Sequence, residues 1–320
     1  MKLWQRRAVR QMALSVLPLV LICVTLIIVL GVKANSIARQ LSPATATAAG
    51  MVAVDGTGSA GLDIAWSDSG NTRHTTHLVF PNVGAVTKDT KVTIFYVPGD
   101  PSRAYAAGDR LDTRGRELAS GVLFAVLVLL IGVIVSTFRL WRRVIAERRP
   151  ATTLPVRWAQ YRRGLIRRSW LIVTENNVES WVPVYWQPGL AAILEGTPAK
   201  VHGKPSLDRL LVIEVNDLTV WPAGRRRDIK PRGRGEWIEG TVKYTKSAVK
   251  QRERDGGPDI ERVSLVKHLA GDIALILPAP VLALVWSYVD SSGPAGFGIA
   301  TALLASVLFW LPGVYGSDPT

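Results

Sequence analysis

Four uncharged apolar runs most constrain how this chain can fold. Met12–Val32 and Leu118–Phe138 each contain 21 residues without a charge, and Phe297–Tyr315 is likewise uncharged. A helix rises about 1.5 Å per residue and the hydrocarbon core is roughly 30 Å thick, so about 20 apolar residues can cross it. Ile273–Tyr288 is the fourth run. We therefore predict a multi-pass membrane protein with four transmembrane helices.

The run at 273–288 is the weakest of the four predicted spans. Pro278 and Pro280 remove backbone donors and should kink a helix, although membrane helices tolerate this where neighbouring helices cover the freed carbonyls. The linker Asp290–Ala295 is so short that the third and fourth runs must form a hairpin. Two full spans and a re-entrant pair both remain open.

The distribution of Lys and Arg predicts the orientation of the spans. Residues 1–11 carry four basic residues and no acid, and segment 139–268 carries 26 basic and 14 acidic residues. Segment 33–117 has nine basic and eight acidic residues. Because cytoplasmic loops are rich in Lys and Arg, we expect both termini and the second soluble segment on the cytoplasmic side of the cell membrane. A cleaved signal peptide ending near Ala44–Ala46 is the alternative, but the first apolar run is longer than a signal-peptide core.

The predicted fold is α-helical in the membrane, with two small all-β modules, one on each side. In chain order, the predicted segments are a cytoplasmic N-terminus (1–11), transmembrane helix 1 (12–32), an extracytoplasmic β-domain (33–117), transmembrane helix 2 (118–138), a basic juxtamembrane segment (139–154), a cytoplasmic β-rich domain (155–239), a charged linker (240–268), transmembrane helix 3 (269–289), a short outer turn (290–296), transmembrane helix 4 (297–315) and a cytoplasmic tail (316–320).

Short alternating stretches between the first two spans predict the outer β-domain. Strands are expected at Met51–Val54, Leu62–Trp66, Thr75–Phe80 and Lys91–Val97, with a hairpin turn at Asp68–Asn71. A β-unit of about 55 residues has a marginal core when it stands alone. We therefore expect this domain to rest on the membrane or on a partner.

The end of this domain carries a family resemblance. Its sequence runs Val92-x-Ile94-x-Tyr96-Val97-Pro98-x-Asp100-Pro101-Ser102-Arg103-Ala104, after the turn that begins at Asp68. This resembles an uncharacterised bacterial, actinobacterial-type family of multi-pass membrane proteins, in which a small β-domain lies between two transmembrane helices and closes with V-x-Y-D-P-x-x-P-x-x-A. Val97 stands where that pattern has Asp. The resemblance covers roughly residues 12–140 and implies an architecture, without an activity.

Two histidines in the outer domain are candidate metal ligands. His74 and His77 are three residues apart on a predicted strand, where side chains alternate between faces, so their imidazoles should point apart. A zinc site needs further ligands. No third histidine lies in this domain, and the single cysteine, Cys23, lies in the first apolar run. We predict solvated strand histidines, no metal and no cofactor.

The segment after the second span predicts a small barrel or sandwich. Its clearest hairpin joins Arg209–Val215 to Leu218–Pro222 at Asn216-Asp217, and further strands are expected at Arg157–Gly164 and Trp170–Thr174. Large aromatic side chains more often fill such a core than form a recognition surface, and both interpretations apply to five tryptophans. These are Trp158, Trp170, Trp181, Trp186 and Trp221.

Ten arginines of this segment are candidate contacts for anionic lipid or an acidic partner. Five directly follow the second span, where basic residues near the surface contribute about 1 kcal/mol each to binding of anionic lipid, and five lie in a Gly/Pro-punctuated loop. A stop-transfer anchor and a solvated loop are the alternatives. Nucleic acid is not expected, because only Trp237 stands near the loop as a stacking aromatic. The ten residues are Arg139, Arg142, Arg143, Arg148, Arg149, Arg225, Arg226, Arg227, Arg232 and Arg234.

No motif in the chain predicts catalysis. The spans hold almost no ionisable residues, and neither β-module shows a nucleophile–base pair, a metal cluster or a phosphate loop. We therefore predict a non-enzymatic scaffold, accessory subunit or partner-binding module, associated with anionic lipid and with a protein partner or a second copy of itself. One alternative is a component of a transport or export complex that packs through the small residues of the last span. The other is an enzyme acting on a lipid or envelope substrate through Asp63, Asp68, Glu175 or Glu179.

Overall fold

The computed structural model describes residues 6–163, 166–187, 189–190, 193–231, 234–236, 269, 272–290 and 293–318. It contains two compact units. One comprises residues 23–129, and the other comprises 1–22 with 130–320. The predicted charged linker at 240–268 lies outside the described residues.

Within the described part of the chain, three helices are long and apolar enough to cross a membrane. They are α1 (Arg7–Leu41), α2 (Arg110–Glu147) and α4 (Gly293–Tyr315), and they contain the first, second and fourth predicted spans. Their length and composition identify a membrane protein.

The third predicted span is shorter and broken. A 3₁₀ turn at Ile273–Ile276 precedes helix α3 (Pro278–Asp290). Helix α3 therefore starts at Pro278. Proline is tolerated at the first position of a helix, because a backbone N–H at that position has no hydrogen-bond partner within the helix. The 13 residues of α3 rise only about 20 Å, so the structure supports three of the four predicted spans by length.

The predicted outer β-domain is a curled antiparallel sheet. Its strands are β1 (Ala46–Val52), β3 (Leu62–Ser67), β4 (Arg73–Leu78), β6 (Lys91–Val97) and β7 (Asp100–Ala106). Their order is β4-β3-β1-β6-β7, and a two-residue pair, β2 (Gly56–Thr57) with β5 (Ala85–Val86), lies beside the sheet. The two outermost strands, β4 and β7, approach within 8 Å, so the sheet is barrel-like.

The alternation of apolar side chains that the sequence predicts along these strands determines which residues form the core of this sheet. Leu62, Ile64 and Trp66 alternate along β3 with smaller or polar residues that are less buried, and all three are buried with Ile94 and Tyr96 of β6. The strand β7 was not predicted, because its sequence was interpreted only as a closing motif. It pairs with β6 across a register shift at Tyr96/Val97.

The second β-domain is also barrel-like. Its strands are β8 (Ala151–Arg163), β9 (Ile166–Glu175), β10 (Val178–Val184), β11 (Thr197–His202), β12 (Val212–Val215), β13 (Leu218–Val220) and β14 (Arg234–Glu236). The strand order is β10-β9-β8-β11-β12-β13, with β14 on β8. Isolated bridges Val184↔Pro222 and Trp181↔Arg227 join the β10 end to the chain that leaves β13. The sheet therefore closes on itself.

Two apolar clusters lie on the opposite faces of this sheet. Leu171 and Val173 point into the main core, whereas Trp170 and Ile172 belong to a second cluster with Trp181. This follows from the period of two along β9. Trp170, Trp181 and Trp221 are buried, as the packing interpretation of the tryptophans predicts.

The N-terminal end of α1 and the C-terminal end of α2 pack on this barrel. Ala8 and Val9 of α1 and Ala146 of α2 form a buried cluster with Tyr185 and Trp221. Arg6 and Glu147 form a two-pronged ion pair, and the Trp221 indole donates to Glu147 Oε2 at 3.2 Å. The barrel is therefore fixed directly to the helix ends.

Candidate functional site

A pocket of about 610 Å³ lies where the C-terminal end of α2, the barrel and the end of α4 meet. Strands β9 and β10 and the loop after β13 form its barrel side. No acidic side chain is among the described residues that line it. The lining residues are Phe138, Arg139, Arg142, Arg143, Arg168, Trp170, Pro183, Leu210, Ala223, Gly224, Arg225, Arg227 and Tyr315.

Six of these residues are arginines, and local geometry explains how they converge. Arg139 lies three residues before Arg142 and four before Arg143, which places all three on one helix face. Arg168 shares a face of β9 with Trp170, because strand residues two apart point the same way. The remaining two, at positions 225 and 227, come from the loop after β13.

None of the six pocket arginines forms an ion pair with a carboxylate of the described residues. Other arginines of the same unit do: Arg149 pairs with Asp208 at 2.9 Å, and Arg226 pairs with Asp228. Within the described residues, the pocket therefore concentrates positive charge without a direct ion pair, and Asp318 contributes only a longer-range attraction to Arg168.

A buried tyrosine holds the deepest pocket arginine in place. Arg143 is 3% exposed; its Nε donates to the Pro222 carbonyl at 2.7 Å and its Nη2 to the Tyr185 hydroxyl at 3.0 Å. The Tyr185 hydroxyl in turn donates to the Val314 carbonyl at 2.7 Å. One hydroxyl therefore links α2, the barrel and the end of α4.

The chain after α4 folds back onto the barrel beside the pocket. Gly316 has a φ of +75° just past the helix end, a conformation that glycine adopts without strain. A Cβ at Gly316 would lie 2.6 Å from Ala223 Cβ, so only glycine allows this approach. The turn brings the buried Asp318 to Ser169, whose backbone N–H and hydroxyl both donate to its carboxylate at 2.9 Å.

Aromatic rings share the pocket with the guanidinium groups. The Arg139 guanidinium lies 4.3 Å from the Tyr315 ring centroid, and that of Arg227 lies 5.4 Å from the Trp170 ring. Such contacts stabilise a cation by about 0.5–2 kcal/mol, but they leave its net charge in place.

The positive charges of the pocket are electrostatically unfavourable, because they are buried and close to other arginines. Burial, with the neighbouring Arg227, lowers the pKa of Arg168, and burial lowers the pKa of Arg143. Both arginines nevertheless stay protonated at neutral pH, because guanidinium groups do not lose their proton in proteins. An anion in the pocket would stabilise these charges.

Two buried donors of the pocket residues have no acceptor among the described residues. They are Arg168 Nε and the indole Nε1 of Trp170. Buried polar groups are normally hydrogen-bonded, so each unpaired group needs an explanation. A ligand that carries acceptor oxygens provides one.

The structure separates the ten arginines that the sequence singled out. It brings five of them together at the pocket: Arg139, Arg142, Arg143, Arg225 and Arg227.

The other five lie elsewhere or are not described. Arg148 is exposed, and Arg149 and Arg226 are engaged with nearby aspartates. Arg232 lies outside the described residues, and Arg234 belongs to β14.

Sequence reasoning missed Arg168 and Tyr315. Arg168 follows another arginine and precedes Trp170 by two positions, so its place on the tryptophan face of a strand was a usable signal. Tyr315 ends an apolar helix, and it reaches the pocket because the end of α4 contacts Arg139 and Tyr185. No local pattern reveals that contact.

The acidic residues considered for catalysis do not form one site. Asp63 lies 2.8 Å from His77 Nδ1, and Asp68 lies 3.0 Å from His74 Nε2, as two separate pairs of the outer domain. Glu179 pairs with Arg157 in the second barrel. Within the described residues, no three His, Cys, Asp or Glu side chains cluster as metal ligands.

Comparisons with protein-family models, with curated proteins and with solved structures find no match for this chain.

Proposed function

We propose that this chain is a non-enzymatic integral membrane protein whose second barrel binds an anionic group in the arginine pocket. The observation that carries the proposal is the convergence of six arginines, none paired with a described carboxylate, on one cavity. Guanidinium groups bind phosphate and carboxylate through parallel hydrogen bonds. The pocket therefore has the chemistry of an anion receptor.

The residues that line the pocket favour an anion-binding role over a catalytic one. No described lining side chain is a carboxylate, a histidine or a cysteine, the groups that most often act as bases or nucleophiles. The arginines can hold and orient an anion, and the packed helix ends can transmit its presence to the membrane helices. This supports a scaffold or accessory subunit as the protein's role.

A soluble anion tests the proposal on the full chain purified in neutral detergent. Millimolar pyrophosphate should raise the melting temperature more than chloride at equal ionic strength, since ligand at ten times its Kd stabilises by about 1.4 kcal/mol. The Arg227→Gln variant should lose this stabilisation. Arg226→Gln is the matched control, because Arg226 lies one position away and outside the pocket. Equal stabilisation of both variants would contradict the proposal.

The proposed location is the cell membrane, with both termini and the arginine pocket on the cytoplasmic side, as the distribution of basic residues predicts. Ser69 is exposed in the outer domain. A cysteine placed at Ser69 in a Cys23→Ala background should react with an impermeant thiol reagent in intact cells. If labelling appears only after lysis, the orientation is reversed.

A protein partner or a second copy of the chain forms the other part of the proposal. Gly298 of α4 is exposed, with no described atom within 4 Å of a Cβ placed there, and small residues allow close helix approach. Crosslinking in membranes should capture a stoichiometric complex. A chain that remains monomeric under all crosslinking conditions would exclude this part, and would count equally against a role in a transport complex.

A further inference from the structure

We infer that the arginine pocket binds the headgroup of one anionic phospholipid, drawn from the leaflet on which the second barrel rests. The inference depends on the proposed anion-binding function and adds the identity of the anion. The shared chemistry is a phosphate ester. Lipids and soluble molecules can both carry this group, and the position and lining of the pocket favour the membrane as its source.

The pocket lies at the level where the apolar parts of two helices end. Phe138 is the last residue of the second apolar run, and Tyr315 is the last residue of α4. Both line the pocket and are about half exposed, at 50% and 43%. Aromatic side chains at the ends of membrane helices lie among the lipid headgroups. The arginines are therefore within reach of lipid phosphates.

An apolar face of α2 leads from the bilayer to the pocket. Ile131, Ile134 and Phe138 recur at three- and four-residue spacing and are exposed, so they form one stripe on the helix. The Arg142 guanidinium lies 5.6 Å from the Phe138 ring centroid, where this stripe meets the charged lining. Acyl chains can lie along such a stripe while the phosphate enters the pocket. A free phosphate ion has no acyl chain that could contact this stripe.

The interior of the pocket suits a substituted phosphate. Its volume of about 610 Å³ lies within the range of small-molecule sites, which is more room than one phosphate group needs. The unpaired donors Arg168 Nε and Trp170 Nε1 belong to its lining. Phosphate oxygens accept from several donors at once, and a single headgroup can therefore satisfy both.

This site differs from general attraction to a charged surface. Basic residues near an anionic membrane contribute about 1 kcal/mol each wherever they lie on the facing surface. The run Arg225-Arg226-Arg227 separates the two cases, because its first and last residues line the pocket. Arg226 instead donates to the Ser180 hydroxyl at 3.2 Å and pairs with Asp228. Binding of a headgroup in the pocket should require Arg225 and Arg227 and should not require Arg226.

The test uses the full chain in neutral detergent, titrated with three probes. They are dihexanoyl phosphatidic acid, glycerol 3-phosphate and dihexanoyl phosphatidylcholine, with the change in tryptophan fluorescence as the readout. Phosphatidic acid should bind at least about tenfold more tightly than either of the others. Arg225→Gln and Arg227→Gln should each weaken its binding by about tenfold or more, as the loss of a charge-assisted hydrogen bond predicts. Arg226→Gln should change it by less than about threefold.

Each other outcome overturns a defined part of the reasoning. If glycerol 3-phosphate binds as tightly as phosphatidic acid, the ligand is a soluble anion; the lipid inference then fails and the proposed function stands. If no phosphate probe binds, both fail. If all three arginine variants weaken binding equally, the attraction is diffuse and the pocket is not the site. Native mass spectrometry of the unaltered protein checks the result without any variant, since it should show one retained anionic lipid per chain.

Discussion

The Tyr185 hydroxyl offers the sharpest test of how the pocket is assembled. Replacing Tyr185 with Phe removes one bond from Arg143 and one to the Val314 carbonyl, and leaves the ring in place. A neutral hydrogen bond contributes about 1 kcal/mol and one to a charged group about 1.5–3 kcal/mol. The variant should therefore lose about 2.5–4 kcal/mol. For a unit of this size that corresponds to a fall of roughly 5–15 °C in melting temperature.

The assay is thermal unfolding of the purified full chain, followed by tryptophan fluorescence. Tyr161→Phe is the matched control, because the Tyr161 hydroxyl is also buried but has no partner among the described residues. Its loss should change stability by no more than about 0.5 kcal/mol, since no hydrogen bond is broken. Equal melting temperatures for the two variants would refute the account of Tyr185 as the link between helix ends and barrel.

Three further predictions concern other contacts of the molecule. Glu147→Gln should destabilise the chain by about 1–3 kcal/mol, because it breaks the ion pair between the N-terminal end of α1 and α2; Asp228→Asn, which breaks a pair whose carboxylate is 70% exposed, should have almost no effect in the same melting experiment. Gly50→Ala should destabilise the outer domain by about 1–3 kcal/mol, since the new methyl group would lie 2.6 Å from the side chain of the buried Ile64. Gly99→Ala is the control and should be neutral, because no described atom lies within 4 Å of its new methyl group. Limited proteolysis should distinguish the two variants. Burial raises the pKa of Asp318 from 3.8 to about 6. Folding therefore takes up a proton, and the stability this group contributes is complete below about pH 4 and falls by about 3 kcal/mol as pH rises through 6. Asp318→Asn should remove that part of the pH dependence, so melting curves that still change with pH as in the unaltered chain would contradict it.

Much of the fold follows from local patterns in the sequence. The hairpin at Asn216-Asp217 was predicted from turn chemistry, and both residues have positive φ, at 46° and 62°, as two-residue hairpin turns require. The turn at Asp68–Asn71 forms for the same reason, with a φ of 62° at Asn71. The break before Pro278 likewise lies where the prolines predicted a kink. Each of these features depends on a few adjacent residues.

The pocket could be predicted only in part, because it depends on contacts between distant residues. The arginines after the second span and in the loop were evident as clusters of charge. Their separation into lining and non-lining members was not, since Arg225 and Arg226 differ only in the direction they take from the loop. The contribution of Tyr315 depends on how the end of α4 contacts Arg139 and Tyr185, and the chain then turns back to Ala223 at Gly316. Hydropathy and spacing do not encode such a return of the chain.

The return of residues 317–318 to the barrel has a consequence for how the protein is made. Ser169 and its partner Asp318 are 149 positions apart, and the hairpin of α3 and α4 lies between them in the chain. During synthesis, the strand that carries Ser169 leaves the ribosome long before that hairpin enters the membrane. The sheet can close through its bridges at residues 181–227 before that point, but the Ser169 donors lack Asp318 as their acceptor until the end of α4 has turned back. The contact between Ser169 and Asp318 is therefore among the last of the barrel to form, and it depends on the placement of the end of α4.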